Sequence, residues 1–143
     1  MGGVSVMKSI LTLKYSDVLK RLDATLIRVN RGTKKATKAA CEEILAESKK
    51  EVPTDTNTLK NSGFYEVQGS YTNFVGTVGY GGNGNPVNPR TGEHASDYMV
   101  VVHEDLDANH PNGKAKFLED PVRRYTSKFA RRASSFIKND LGL

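Results

Sequence analysis

The chain has 143 residues, of which 37% are hydrophobic and 26% are charged, and its formal net charge is +5. A single domain of this length buries roughly two-thirds of its unfolded surface, so its stability requires neither disulfide bonds nor a structural metal. With one cysteine and no apolar run near the roughly 20 residues that span a bilayer, we expect a reducing compartment, no membrane partner and no secretory signal.

The N-terminal third predicts a long helix preceded by an arm. Residues 1–15 are predicted as an arm or a short strand, because residues 10–14 alternate in polarity. Residues 16–52 are predicted as a helix, since Ser16 can cap a first turn and Pro53 ends helical geometry. Gly32 predicts a kink or break. The apolar residues recur at three- and four-residue steps and form one stripe: Leu19, Leu22, Leu26, Val29, Ala36, Ala40 and Ile44.

The middle of the chain, residues 63–103, predicts a small sheet. Residues 64–67 and 74–80 are rich in aromatic and β-branched types and are separated by a turn-like segment, which indicates a hairpin. Residues 98–103 predict a third strand, apolar on both sides as in a covered strand. The long connection 81–97 is rich in glycine, asparagine and proline, so we expect a loop that orders only against a partner.

Residues 119–141 predict a C-terminal helix with Pro121 in its first turn, where a missing amide costs nothing. Its apolar face begins at Val122 and its arginines lie on the other side. The predicted fold is therefore one α+β domain, residues 1–143. A long N-terminal helix and a C-terminal helix pack on a small, mainly antiparallel sheet of three to four strands.

The residue types that commonly bind metals or catalyse reactions do not form a recognisable site in the sequence. His94, His103 and His110 lie near several acids, but their spacing matches no metal-ligand signature. No serine occupies a nucleophile elbow, and the glycines of 81–84 lack the lysine of a phosphate-binding loop. Cys41 is interpreted as a small buried thiol. We expect no catalytic residue, cofactor or metal, and a small metal-dependent hydrolase is kept as an alternative.

The positive charge is concentrated at the C-terminus. Residues 121–143 carry six basic residues and one acid, a balance equal to the net charge of the whole chain. Such a face could contact nucleic acid or an acidic protein. No recognition-helix motif accompanies it, and Tyr125, Phe129 and Phe136 are predicted to be core residues, which favours a solvated face or a protein interface. A basic nucleic-acid-binding module is the alternative.

Three segments resemble a known family. The sequence VPTDTNTLKNS at residues 52–62 is similar to the V-P-x-D-T-G-x-L-R-x-S signature of bacteriophage head–tail joining proteins, with Asn57 in place of glycine. Residues 75–79, VGTVG, resemble the V-x-V-G strand of that family. Residues 102–105, VHED, followed by GKAKFLEDP at 113–121, resemble its closing block. The motif positions interpreted as structural are Pro53, Asp55, Thr56, Leu59, Gly79, Glu104, Phe117, Leu118 and Pro121.

The resemblance implies a structural virion protein of the phage neck, a tail-completion protein that forms a ring, expected to be hexameric. Its implied partners are other copies of itself, connector, adaptor or stopper proteins, and the tail tube or tail terminator protein. It also implies a location in the virion, in the host cytoplasm during assembly, with non-specific contact to DNA in the channel. A tail terminator or minor capsid protein of the same fold is an alternative.

The predicted partner-facing parts are the loop 81–97, the segment 104–112 and the exposed arginines of the last helix, because these stretches have little to bury internally. Individual residues predicted to lie at such interfaces are Asn83, Asn85, Arg90, His94, Asp105, His110, Arg124, Lys128, Arg131 and Arg132.

Overall fold

The computed structural model describes residues 2–54, 57–82, 84–107 and 112–143, with side chains from residue 16 onward. The predicted α+β class is confirmed, with long helices at both ends of the chain and an antiparallel sheet between them. The elements in chain order are α1 (Gly2–Glu51), α2 (Thr58–Asn61), β1 (Phe64–Ser70), β2 (Asn73–Gly79), α3 (Ala95–Glu104) and α4 (Glu119–Leu141).

Helix α1 differs from prediction at its beginning and at its middle glycine. The strand suggested within residues 1–15 is wrong, because the helix begins at Gly2, and a five-residue alternation is too short to outweigh a helical neighbour. No break occurs at Gly32. A β-carbon there would lie 2.8 Å from the Cα of Ile137 in α4. Gly32 is therefore a point where the backbones of α1 and α4 approach each other closely.

The sheet has two strands in the described residues, where three to four were predicted. Strands β1 and β2 form the predicted hairpin, with Phe64 opposite Gly79 and Ser70 opposite Asn73. Tyr71, in the two-residue turn, has a φ of 55°, the left-handed geometry that suits tight hairpins.

The third predicted strand, residues 98–103, is instead most of helix α3. Within it Ala95, Tyr98, Met99 and Val102 pack against the core, whereas Val100 and Val101 are exposed. Buried positions at steps of three and four belong to a helix, and a strand would have buried alternate residues. A short run that is apolar on both sides cannot distinguish the two by periodicity alone.

The core lies where the C-terminal end of α1, the hairpin, α3 and the start of α4 meet. Its buried centre contains Val52, Leu59, Tyr80, Ala95 and Phe117. The ring of Phe117 has 0% exposure and meets the ring of Tyr80 edge to face, with centroids 5.4 Å apart.

Helix α4 has the predicted bounds, 119–141, and runs antiparallel to α1. Near one end Arg124 pairs with Glu51, and near the other Asp140 bonds Arg31. With 23 residues, α4 is about 35 Å long, whereas the 50 residues of α1 span about 75 Å. Helix α4 therefore reaches only the second half of α1.

Candidate functional site

Two segments that carry the family resemblance, residues 52–62 and 113–121, meet at their N-terminal ends. The amide of Thr54 donates to the carbonyl of Asn112 (3.1 Å), and the amide of Lys114 donates to the carbonyl of Glu51 (2.9 Å). Between them Gly113 has a φ of 134°, and a β-carbon there would lie 2.6 Å from the Cα of Pro53. Only glycine fits this contact. Sequence reasoning did not single out Gly113, although its place in the closing motif was visible.

The turn after α2 is held by the last residue of the first motif. The hydroxyl of Ser62, fully buried, donates to the carbonyl of Leu59 (2.7 Å) and accepts from the amide of Gly81 (2.9 Å). Asn57 has a φ of 59°, a left-handed geometry that both asparagine and the glycine of the family signature tolerate. Leu59 is buried, as predicted for a structural anchor. Asp55 and Thr56 lie outside the described residues.

The closing motif surrounds Phe117. His103 is buried with its ring edge to face on Phe117, at a centroid distance of 5.0 Å. Its Nε2 accepts from the amide of Glu119 (3.3 Å) at the start of α4, so its Nδ1 carries the proton and donates to Glu104 (2.7 Å). His103 thus satisfies a free amide in the first turn of α4, which is a structural role.

Glu104 joins this arrangement to the rest of the closing motif. Its carboxylate also pairs with Lys116, and that lysine and His103 together hold the pKa of Glu104 below its usual range. Lys116 reaches Glu119 as well (3.2 Å).

The remaining motif residues also have packing roles. Gly79 lies against the ring of Phe64, where a β-carbon would lie 3.2 Å away. Leu118 is half-buried before α4, and Pro121 is buried in its first turn. These positions agree with the structural interpretation.

The loop after β2 makes its own hydrogen bonds in its described part. Asn85 uses its side-chain oxygen to accept from the amide of Ser96 (2.9 Å) and its carbonyl to contact Nδ1 of His94 (2.8 Å). Asn88 is buried, and Val87 pairs with His94 in an isolated bridge. The expectation of order only against a partner is therefore not met, because backbone bonds such as that from Asn88 to Glu93 and asparagine side chains hold the described loop together.

The loop is also shorter than predicted, since residues 95–97 belong to α3. Its exposed tip contains Pro89 to Glu93, which includes Arg90. Asn83 and His110 lie outside the described residues, and Asp105 is exposed just after α3.

Most predicted interface cations of α4 pair with acids of α1. Lys128 donates to Glu43 (2.8 Å), Arg132 pairs with the same carboxylate, and Arg124 pairs with Glu51. Their side chains nevertheless stay 49%, 35% and 44% exposed for Arg124, Lys128 and Arg132, so their place at a partner interface remains a prediction. Arg131 is exposed, so it is the predicted cation that stays directed to solvent.

The ion pairs between α1 and α4 form a row that we call the ionic seam. Asp140 lies at its far end. Its carboxylate accepts from Lys35 (2.7 Å) and Arg31 (3.0 Å) although its side chain is only 10% exposed. These two cations, Lys35 first, hold the pKa of Asp140 below its usual range.

An open groove of about 530 Å³ separates β2 from α4. Its floor is the second half of α1, where Thr37, Ala40 and Cys41 are buried small residues and Ile44 is half-buried. Burial raises the pKa of the Cys41 thiol, which agrees with its interpretation as a packed side chain. The walls carry larger apolar groups: Phe74, Val78, Val122, Tyr125 and Phe129. We call this feature the groove.

The first described side chains of α1 are uncovered. In residues 16–28 every side chain after Ser16 is exposed. We call residues 16–28 the arm, which is distinct from the arm or strand predicted for residues 1–15. Leu22 is 53% exposed and Leu26 is 54% exposed, and Val18, Leu19 and Ile27 are exposed too. The sequence placed this stripe in the core. A stripe longer than the covering helix could have revealed the mismatch.

No metal site is formed by the described residues, since no three His, Cys, Asp or Glu side chains are grouped for an ion. His94 and His103 lie in the separate environments given above. Among the described helices none is both long and apolar enough to cross a membrane. No protein family, curated protein or solved structure matches the chain.

Proposed function

We propose that this chain is a structural protein of the bacteriophage neck, which forms a ring that joins the tail tube to the head connector. The observation that carries the proposal is the meeting of the resembling segments in space. Residues 52–62 and 113–121 are distant in sequence, yet Thr54 and Lys114 each bond a residue that flanks the other segment, and Gly113 packs against Pro53. Segments that resemble one family and share one junction support a common architecture better than separate matches would.

The chemistry of the motif residues also supports an architectural role. His103, Ser62 and Glu104 direct their polar atoms to the chain itself. Function then depends on outer surfaces, and the arm and the groove are apolar surfaces that a monomer leaves exposed. Exposed apolar surfaces of this kind mark sites of protein association.

The proposed partners are further copies, in a hexameric ring, together with connector, adaptor or stopper proteins on one side and the tail tube or terminator on the other. The proposed location is the virion neck, with assembly in the host cytoplasm. DNA passing through the ring would meet only weak, sequence-independent contacts, because Arg124, Lys128 and Arg132 are already paired with acids.

The proposal is tested by deleting the coding sequence from the long-tailed phage that carries it. We expect DNA-filled heads and tails of normal length to accumulate unjoined, and the chain supplied in trans to restore joining. Tails of uncontrolled length would instead indicate a tail terminator. Joined, infectious particles at the normal yield would contradict a neck function.

A further inference from the structure

We propose that the arm of one copy occupies the groove of a second copy, head to tail. The contact rests on the proposed function and deepens it, because it supplies the link between neighbouring subunits of a ring. Its partner is this same chain, and its chemistry is the burial of leucine side chains on a floor of small residues.

The arm and the floor of the groove lie on the same face of α1. Leu19 and Thr37, Leu22 and Ala40, and Leu26 and Ile44 are each 18 residues apart. Eighteen residues are five turns of about 3.6 residues, so each pair projects in the same direction. The two surfaces are separated by about 27 Å along the helix axis, at about 1.5 Å per residue.

This arrangement excludes the arm from its own groove. One continuous helix carries both surfaces, and they project in parallel rather than toward each other. Another copy, however, can place its arm over this floor. The side-chain sizes suit such a contact, because the arm offers leucines where the floor offers Thr37 and Ala40.

The apolar stripe is also continuous with an interface that already exists. Helix α4 covers α1 only as far as the bonds of Asp140 to Arg31 and Lys35. Beyond that point the stripe continues through Leu26 and Leu22 without a cover in the described residues. A helix with this apolar pattern buries its apolar face against another element. The groove of a neighbouring copy, between its α4 and β2, provides that surface.

A head-to-tail arrangement follows because each copy owns one arm and one groove. The arm binds the neighbour on one side, and the groove receives the neighbour on the other. Such a heterologous contact repeats until rotation closes a ring.

The test begins with sedimentation of the full-length protein and two exposed-site variants. Leu22→Asp alters the arm, and Thr126→Asp places a charge in the groove from an exposed position of α4. We expect the wild type to form oligomers of three or more copies and each variant to lose them. The matched controls are Ala24→Asp, on the other side of the arm, and Ser127→Asp, beside the groove, and both should assemble normally.

Mixing the two variants distinguishes this contact from general loss of solubility. The intact arm of Thr126→Asp can enter the intact groove of Leu22→Asp, so the mixture should form pairs and stop there. A wild type that is monomeric at every concentration, variants that assemble normally, or a mixture that stays monomeric would each overturn the proposal.

A disulfide cross-link locates the contact independently of any loss of assembly. In a Cys41→Ser background, Leu22→Cys combined with Thr126→Cys should oxidise to covalent species of three or more copies. Ala24→Cys with Thr126→Cys should not. Equal cross-linking in both, or covalent species that stop at two copies, would overturn the head-to-tail arrangement.

These outcomes are separate from those of the gene deletion. Failure of the cross-link beside unjoined heads and tails would reject the arm contact and keep the neck function. If the protein assembles through the arm but its deletion leaves joined particles, the arm contact is kept and the neck function is rejected.

Discussion

At the scale of single residues, the motif positions act by packing and by satisfying backbone groups. Ser62 holds the turn after α2, and His103 accepts an amide at the start of α4. The resemblance indicated which segments matter, and burial of Leu59 and Phe117 followed from their apolar side chains. The role of Gly113 could not be predicted, because it depends on the position of Pro53, sixty residues earlier.

Substitution of Gly113 tests this junction. Gly113→Ala should lower the free energy of unfolding by more than about 1 kcal/mol, because the φ of 134° is unfavourable for alanine and the new methyl would collide with Pro53. Gly92→Ala is the control, since Gly92 has a φ of 77° but no atom near its missing β-carbon. Chemical denaturation measures both, and an equal loss in the two variants would mean that the collision contributes nothing.

At the scale of elements, the helices at the two ends of the chain were predictable and the segments between them were less so. Helix α4 has a clear apolar stripe and an early proline, so its bounds were found correctly. Residues 98–103 were misassigned because a run of apolar residues lacks a distinguishing period. The pairing of α4 cations with Glu43 and Glu51 required knowledge of which face of α1 is covered.

The ionic seam between α1 and α4 should make stability depend on pH. Lys35 and Arg31 lower the folded-state pKa of Asp140, so this carboxylate stabilises the fold above its unfolded pKa of about 3.9. The contribution is lost as the pH falls through the lower folded-state pKa. Urea denaturation of Asp140→Asn should therefore show lower stability than wild type at neutral pH, with the difference shrinking in acid.

Arg131→Gln is the matched control for this prediction, because it changes a charge on the same helix at an exposed position away from Asp140. Its pH profile should follow that of the wild type. A constant difference between wild type and Asp140→Asn from neutral pH to strong acid would show that the carboxylate does not act through its charge.

At the scale of the whole molecule, the arm and the groove remain exposed, although a monomer would be expected to bury such apolar surfaces. The sequence showed an apolar stripe on α1 that is longer than α4, but it could not show which half of the stripe α4 covers. The groove arises from the spacing between β2 and α4, and local sequence does not encode that spacing. Both features agree with a subunit whose remaining apolar surface is buried by neighbours.

The most direct measurement of the proposed function is imaging of intact phage particles by electron cryomicroscopy. The account predicts a ring of this subunit between the head connector and the tail tube, with the arm of each copy in the groove of the next. Absence of the chain from purified particles, or its position away from the neck, would contradict it.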